Sequence, residues 1–330
     1  MALTRASRPP PRRAHSSRRP GAGPWVTFRC QREMGKDEVP RQYKDSFAEV
    51  AAAYRAAESL RPEAERVCYD PFARHFLGPW FRLLTSNRWL ADLGMRYADS
   101  VAPGAPGEVL ARTPFIDECL RKRIADGIAQ MVILGAGYDT RAIRFQHLLA
   151  SIKVFEVDQP ATQAAKIEKA RRLPGSISPR IVYVPVDFDK GNIEDQLMAH
   201  GYEPAVKTFF IWEGVTMYLT ADGVDQTLAF VATRSAAASS IVFNYVCKAV
   251  VDGRDVSDAA VRWRAALEHR GAPVRFGIDE GQLEEFLAQR GLSVIERANS
   301  DLYRTYFAKR NRARPILSFM PIVHARVGVE

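Results

Sequence analysis

Met131-Val132-Ile133-Leu134-Gly135-Ala136-Gly137-Tyr138-Asp139-Thr140-Arg141 is the stretch of this 330-residue chain that decides its fold. Four apolar residues stop at two glycines, and a polar, helix-competent segment follows. A buried parallel strand reads this way when it ends in a tight turn whose backbone comes close to a ligand. Ile152-Lys153-Val154-Phe155-Glu156-Val157-Asp158 then reads as a second strand with a carboxylate at its tip. A glycine turn after one strand and an acid ending the next form a nucleoside pocket, with the acid reaching ribose hydroxyls. The dinucleotide fingerprint G-x-G-x-x-G has a third glycine, because pyrophosphate lies against a helix N-terminus. Thr140 holds that third position, and Asp139 stands where the phosphate would press. Such a turn repels pyrophosphate and tolerates a sulfonium or ammonium centre. S-adenosyl-L-methionine therefore fits better than NAD, and an NAD(P)-dependent oxidoreductase is the rival enzyme reading.

Outward from this point the pattern alternates as in a doubly wound α/β domain. Strands are expected near 131–135, 152–158, 180–187, 207–213 and 239–246, with helices at 141–150, 161–172, 193–200 and 221–236 between them. A last helix is expected after Asp279 as N-cap, with Leu283, Phe286 and Leu287 buried and Gly291 as the stop. Strands at 293–297 and 322–327 complete the sheet as a hairpin pair. Ahead of the first strand, Phe47, Val50, Ala51 and Tyr54 fall at i, i+3, i+4 and i+7 of a helix over 44–60. A second apolar block over 72–93 reads as helical, with Trp80, Phe81 and Trp89 as core. Residues 103–107 read as a loop, and 113–128 as a helix.

Three regions are expected: a basic arm over 1–42, a helical cap and substrate region over 43–128, and a cofactor-binding domain over 129–330. Within the last, 246–278 lacks a clear strand and reads as a cover over the substrate. The net charge of +9 is concentrated in residues 1–33, which hold eight arginines and one acid, Glu33. With five prolines and few large apolar residues, that arm cannot bury a core and is expected to be disordered. A targeting presequence fits its arginines, but the prolines argue against it. The other readings are an arm for nucleic acid and a translated upstream stretch with Met34 as the working start. The rest of the chain is nearly neutral, so a nucleic-acid-binding function rests on the arm alone and is disfavoured. Four widely spaced cysteines and no H-x-x-x-H pair point to reduced thiols, a cytoplasmic setting and no metal site. No apolar run reaches the length of a transmembrane helix.

The stretches LGAGYDTRAIRF (134–145), FEVDQPATQAAK (155–166), PVDFDK (185–190) and IWEGVTMYLT (211–220) resemble the leucine carboxyl methyltransferase family. That family includes the enzyme methylating the C-terminal carboxylate of a protein phosphatase subunit, and bacterial small-molecule methyltransferases. The resemblance runs in order from about Tyr43 to the C-terminus. It implies a seven-stranded, mostly parallel, Rossmann-like methyltransferase sheet with S-adenosyl-L-methionine as cofactor.

Site residues follow from both lines. Gly135 and Gly137 let the chain turn under the methionine part, although a ligand-free tight turn would also use glycine. Asp158 accepts from the ribose hydroxyls, and Glu156, one step deeper, supports the turn. Asp187 can bind the adenine amino group and Phe188 cover its face; the family normally places leucine there. An isolated glutamate after Phe209-Phe210-Ile211-Trp212 is costly to bury unpaired, and the cationic end of the cofactor accounts for Glu213. By resemblance Glu213 is a cofactor contact, and Arg112 grips the cofactor carboxylate, as a planar guanidinium can. Tyr218 is a candidate lining of the methyl-transfer site, and Asn244 and Tyr245 are candidate substrate contacts. No motif carries a histidine or lysine base. A small-molecule or peptide carboxylate, already ionised at neutral pH, is the favoured acceptor.

Overall fold

The computed structural model describes residues 41–173, 178–187 and 192–328, the side chains from Phe47 onward. Residues 1–40 of the basic arm and Phe188 lie outside the described residues; residues 41 and 42 already belong to α1. Strands β1 (Gln130–Leu134), β2 (Lys153–Asp158), β3 (Ile181–Pro185), β4 (Thr208–Trp212), β5 (Ser240–Asn244), β6 (Leu292–Ala298) and β7 (Ile322–Val327) form one sheet in the order β3-β2-β1-β4-β5-β7-β6. The first five run parallel, and β7 lies antiparallel between β5 and β6. The order reverses between β1 and β4, so a crevice opens beyond the C-terminal ends of those two strands.

Twelve helices surround the sheet among the described residues: α1 (Arg41–Ser59), α2 (Pro79–Leu84), α3 (Arg88–Val101), α4 (Ala105–Ala125), α5 (Arg141–Arg144), α6 (Pro160–Ala170), α7 (Ile193–Ala199), α8 (Ala221–Thr233), α9 (Lys248–Val251), α10 (Asp258–Glu268), α11 (Leu283–Ala288) and α12 (Ser300–Ala308). Strand parity sorts the core into two layers. Met131, Ile133, Phe209, Ile211 and Val242 face Leu110, Phe115, Ile116 and Leu120 of α4, with Tyr303 and Phe307 of α12. Val132, Leu134, Phe210, Trp212 and Phe243 meet Leu197 of α7, Val224, Leu228 and Val231 of α8, and Leu283 and Leu287 of α11. The register Val132↔Phe155 and Leu134↔Val157 keeps β2 in step with the second layer. Ala57 of α1 and Ala91 and Met95 of α3 belong to the first layer, so the N-terminal helices share the core of the sheet. Val246, Val250, Trp263 and Leu267 make a cluster of their own with Met217 and Phe319, which seats the segment after β5 against the turn after β4.

Four local expectations are corrected. The helix after the glycine turn is one turn long, Arg141–Arg144, rather than 141–150. Tertiary packing overrides propensity there, because Phe145 and Leu149 are drawn into the first core layer. Helix α4 starts at Ala105, inside the expected loop; Pro106 lies in its first turn, where a missing N–H costs nothing. Asp279 does not cap α11. A separate turn (Gln282 N–H to Asp279 C=O, 3.1 Å) intervenes, and Gln282 takes the cap position. Trp80 and Trp89 are 46% and 73% exposed, not core, since α2 and α3 turn those faces outward. None of the described helices is long and apolar enough to cross a membrane.

Candidate active site

The turn after β1 is tied to β2: the N–H groups of Gly135 and Ala136 both donate to Val157 C=O, at 2.8 and 3.0 Å. Gly135 and Gly137 have φ of +67° and +44°, where a side chain is strained. A Cβ at Gly135 would run into Val215 of the turn after β4, and one at Gly137 would come within 3.0 Å of Ala48 of α1. The two glycines thus let the turn after β1, the turn after β4 and α1 pack closely at one point. Asp158, buried at the tip of β2, accepts from Gly137 N–H and from Gln159 N–H (2.6 Å). Asp187, half-buried past β3, lines a crevice of about 140 Å³ with Gln159, Pro160 and Ala161. The expected adenine residue thus lines a crevice together with Gln159, the neighbour of the expected ribose residue Asp158. Glu156 sits deeper and pairs with the buried Lys166 at 2.8 Å, a contact inside the protein.

At the other end lies a continuous buried ionic chain. Glu213, at the tip of β4, accepts from Arg112 Nε (2.7 Å) on one oxygen and from Arg141 Nη1 (2.6 Å) on the other. Arg112 also reaches Glu108, one turn earlier on α4, at 2.7 Å. Arg141 pairs with Asp139 (2.5 Å) and Asp117 (2.7 Å). Asp117 holds Arg144 at 2.7 Å, Arg144 lies 4.0 Å from Asp70, and Asp70 binds Arg55 at 2.9 Å. Arg55 closes the line by donating to Tyr138 C=O (2.7 Å), within the glycine turn. Burial alone would raise the Glu213 carboxyl, but Arg141 and Arg112 outweigh it and hold the group well below the usual carboxylate range. Burial dominates at Glu108, which is pushed up although Arg112 pulls it down.

Asp139, expected to repel a pyrophosphate and tolerate a cationic centre, is paired with Arg141, so the charge of the site belongs to the network. Five acids (Asp70, Glu108, Asp117, Asp139, Glu213) stand against four arginines (Arg55, Arg112, Arg141, Arg144) in these contacts, a surplus of one negative charge. Of the nine, sequence reading singled out Arg112, Glu213 and Asp139. Glu108, four residues before Arg112 on one helix face, left a readable signal; Arg55, Asp70 and Asp117 left none.

Tyr218 follows Glu213 in a short 3₁₀ turn, half-buried, its ring stacked on Phe47 of α1 at 5.6 Å and 27°. Burial pushes its phenol far up, against the pull of Arg112. Asn244 is fully buried and ties the two strand tips together. Its Oδ1 accepts from Gly214 N–H and its C=O from Thr216 Oγ1, both at 2.7 Å. Its Nδ2 is buried with no hydrogen-bond partner. Tyr245 lies on the opposite face, against Phe243 at 6.2 Å. Thr113 donates to Val109 C=O within α4 (2.9 Å). Away from the crevice, Cys119, Glu296 and His324 come together. Hydrogen bonds join them: His324 lies 3.0 Å from Ser240 and 3.3 Å from Glu296, with Lys122 at 3.2 Å from Glu296.

These residues fit an S-adenosylmethionine cofactor on two counts. The surplus negative charge matches a ligand of net positive charge, and the orphaned Asn244 Nδ2 beside Gly214 offers a donor to a carboxylate.

Residues 48–232, more than half of the chain, match the family model described as leucine carboxyl methyltransferase. A Bacillus subtilis protein provisionally named an S-adenosyl-L-methionine-dependent methyltransferase is 30% identical over 217 residues, covering 66% of this chain and 71% of that one. A provisionally named methyltransferase of the same kind from Mycolicibacterium smegmatis is 28% identical over 262 residues, covering 78% and 85%. In fold, the chain is similar to the crystal structure of a provisionally named methyltransferase from Thermobifida fusca, with a TM-score of 0.55 at 14% identity, over 88% of this chain and 100% of that one.

Proposed function

The chain belongs to the leucine carboxyl methyltransferase family and is an S-adenosylmethionine-dependent methyltransferase, and we propose that it methylates a carboxylate of a small molecule or peptide. One observation carries the choice of acceptor. The titratable groups described around Glu213 are guanidiniums, carboxylates paired with them, and the Tyr218 and Tyr303 phenols driven up by burial. No histidine or lysine is among them, and the one carboxyl pushed up by burial, Glu108, is held by Arg112 at 2.7 Å, so the acceptor that fits is already an anion. When bound, the cofactor supplies a methyl group made electrophilic by its sulfonium.

In this reading Arg112 and Glu213 hold the amino-acid end, the turn over Gly135 and Gly137 lies beneath it, Asp158 takes the ribose hydroxyls and Asp187 the adenine amino group. Rate enhancement then comes from orientation in a crevice that excludes water, which can supply roughly 7–11 kcal/mol. The single-turn helix α5 has little macrodipole to hold a pyrophosphate, which counts against the NAD(P) reading. The test is incubation with methyl-labelled S-adenosylmethionine and matched panels of carboxylates and hydroxyl compounds. A base-labile methyl ester, formed at a rate flat from about pH 6 to pH 9, is expected for an acceptor of ordinary carboxylate pKa. An alkali-stable product, or a rate with a limb near neutrality, would replace the carboxylate by a hydroxyl or amine acceptor.

A further inference from the structure

Beyond the paired ionic chain stands a cation with no ion-pair partner among the described residues. Arg270 follows the C-terminus of α10, where its N–H donates to Leu267 C=O at 3.0 Å. Its guanidinium lies 5.6 Å from the centre of the Phe47 ring, and Phe47 is in turn stacked on Tyr218. The segment after Arg270 is pinned to the turn that follows Glu213, since Arg275 N–H donates to Met217 C=O at 2.8 Å. Arg270 also acts on the buried phenol of Tyr54, which burial pushes up to about 12 and the guanidinium draws down. Half-buried, it makes no ion pair with any described carboxylate, whereas Arg112, Arg141 and Arg144 are each matched by acids. A guanidinium withdrawn partly from water and, among the described residues, left without an anion is a poor structural element. It is a good receptor for an anionic ligand, which it can bind through two parallel N–H groups.

We propose that Arg270 receives the carboxylate of the methyl acceptor, whose apolar body lies along the stacked rings of Phe47 and Tyr218. This rests on the reading of the β4 tip as the methyl-transfer end, and it adds a requirement that reading lacks: the acceptor is an amphipathic acid. A small hydrophilic acid would gain nothing from the rings, and a neutral apolar molecule nothing from the guanidinium. Arg270 and Phe47 come from the turn after α10 and from α1, outside the glycine, ribose and adenine motifs, so acceptor choice and cofactor binding are separable.

The experiment uses the full chain saturated with S-adenosylhomocysteine, titrated calorimetrically with phenylacetate, 3-phenylpropionate, 2-naphthylacetate and decanoate, and with the corresponding amides. Binding of at least one of these acids, tenfold or more tighter than its amide, is expected. Arg270→Gln should abolish that preference and weaken the acid by tenfold or more, leaving S-adenosylhomocysteine affinity and the melting temperature unchanged. Arg270→Lys should restore part of it. If none of the acids is preferred to its amide, or if Arg270→Gln retains the preference, the proposal is overturned. If the acids bind through Arg270 but no methyl ester forms with S-adenosylmethionine, Arg270 stands and the ester reading falls. Failure of S-adenosylhomocysteine itself to bind would remove the cofactor assignment on which both rest.

Discussion

The two ends of the crevice are built on opposite principles. At the β1/β4 end, nine charged side chains from α1, α4, α5 and connecting segments pair with one another largely out of water, leaving one negative charge over. At the β2/β3 end, Asp187 lines a crevice beside Gln159, the residue after Asp158, and the Asp158 carboxylate accepts from the backbone N–H groups of Gly137 and Gln159. The first end is therefore a structural element that also faces the ligand, while the second rests on two strand-tip carboxylates. Substitutions at the first should change stability and binding together; at the second, binding more than stability.

The largest effect is expected from Arg141→Met. It leaves Asp117, Asp139 and Glu213 each short of a partner, and breaking a buried ion pair costs about 3–5 kcal/mol. Urea denaturation without cofactor measures this. A loss below about 1 kcal/mol would mean that the chain is no structural element.

Acid should single out the same end. Asp70, Asp117 and Glu213 are held below their ordinary values by the arginines that outweigh their burial. Such groups contribute stability that is present above their unfolded pKa, near 4, and lost as pH falls toward the folded value. Each can contribute up to about 1.4 kcal/mol per pH unit in that window. Glu108 and Glu156, pushed up by burial, act in the opposite sense: their share favours the fold below the unfolded pKa and is lost as pH rises through the folded value. The net expectation is a steep fall in unfolding free energy below about pH 4.5, made shallower by Glu213→Gln. An equal slope in the variant would show that Glu213 is not in the titrating set.

Asp158→Ala should weaken S-adenosylmethionine about tenfold to a hundredfold, the loss of charge-assisted hydrogen bonds, while shifting the melting point much less than Arg141→Met. Equal affinity in the variant and the parent would remove the ribose assignment. The smallest effect is expected at half-buried Asp187, where Asp187→Ala should cost about fivefold to tenfold in affinity by calorimetry, with no change in unfolding midpoint. A loss of stability there would erase the contrast between the two ends.

The layout of the sheet was readable because its signals are local. All seven strands carry apolar runs or alternation, and Gly135, Gly137 and Asp158 fall at strand tips where a period-2 pattern breaks off. The ionic chain was not readable in the same way. Arg55, Asp70 and Asp117 lie on separate elements, and nothing in their neighbourhoods distinguishes them from surface charges until α1 and α4 pack against the turn after β1. The exposed Trp80 and Trp89 failed for the complementary reason: aromatic content gives the hydrophobicity of a helix but not the face it turns to its neighbours. The short α5 shows tertiary packing ending a segment that propensity would have continued.

The buried ionic chain also has a thermal consequence. The cost of stripping water from charged groups falls as temperature rises, whereas the gain from burying hydrocarbon levels off. On warming, the region around Glu213, Arg112 and Arg141 should therefore lose less of its hold than the apolar layers beneath the sheet. Local opening measured by hydrogen exchange at rising temperature should spread first from the outer helices such as α7 and α11, with the amides of Gly135 and Ala136 among the last to exchange.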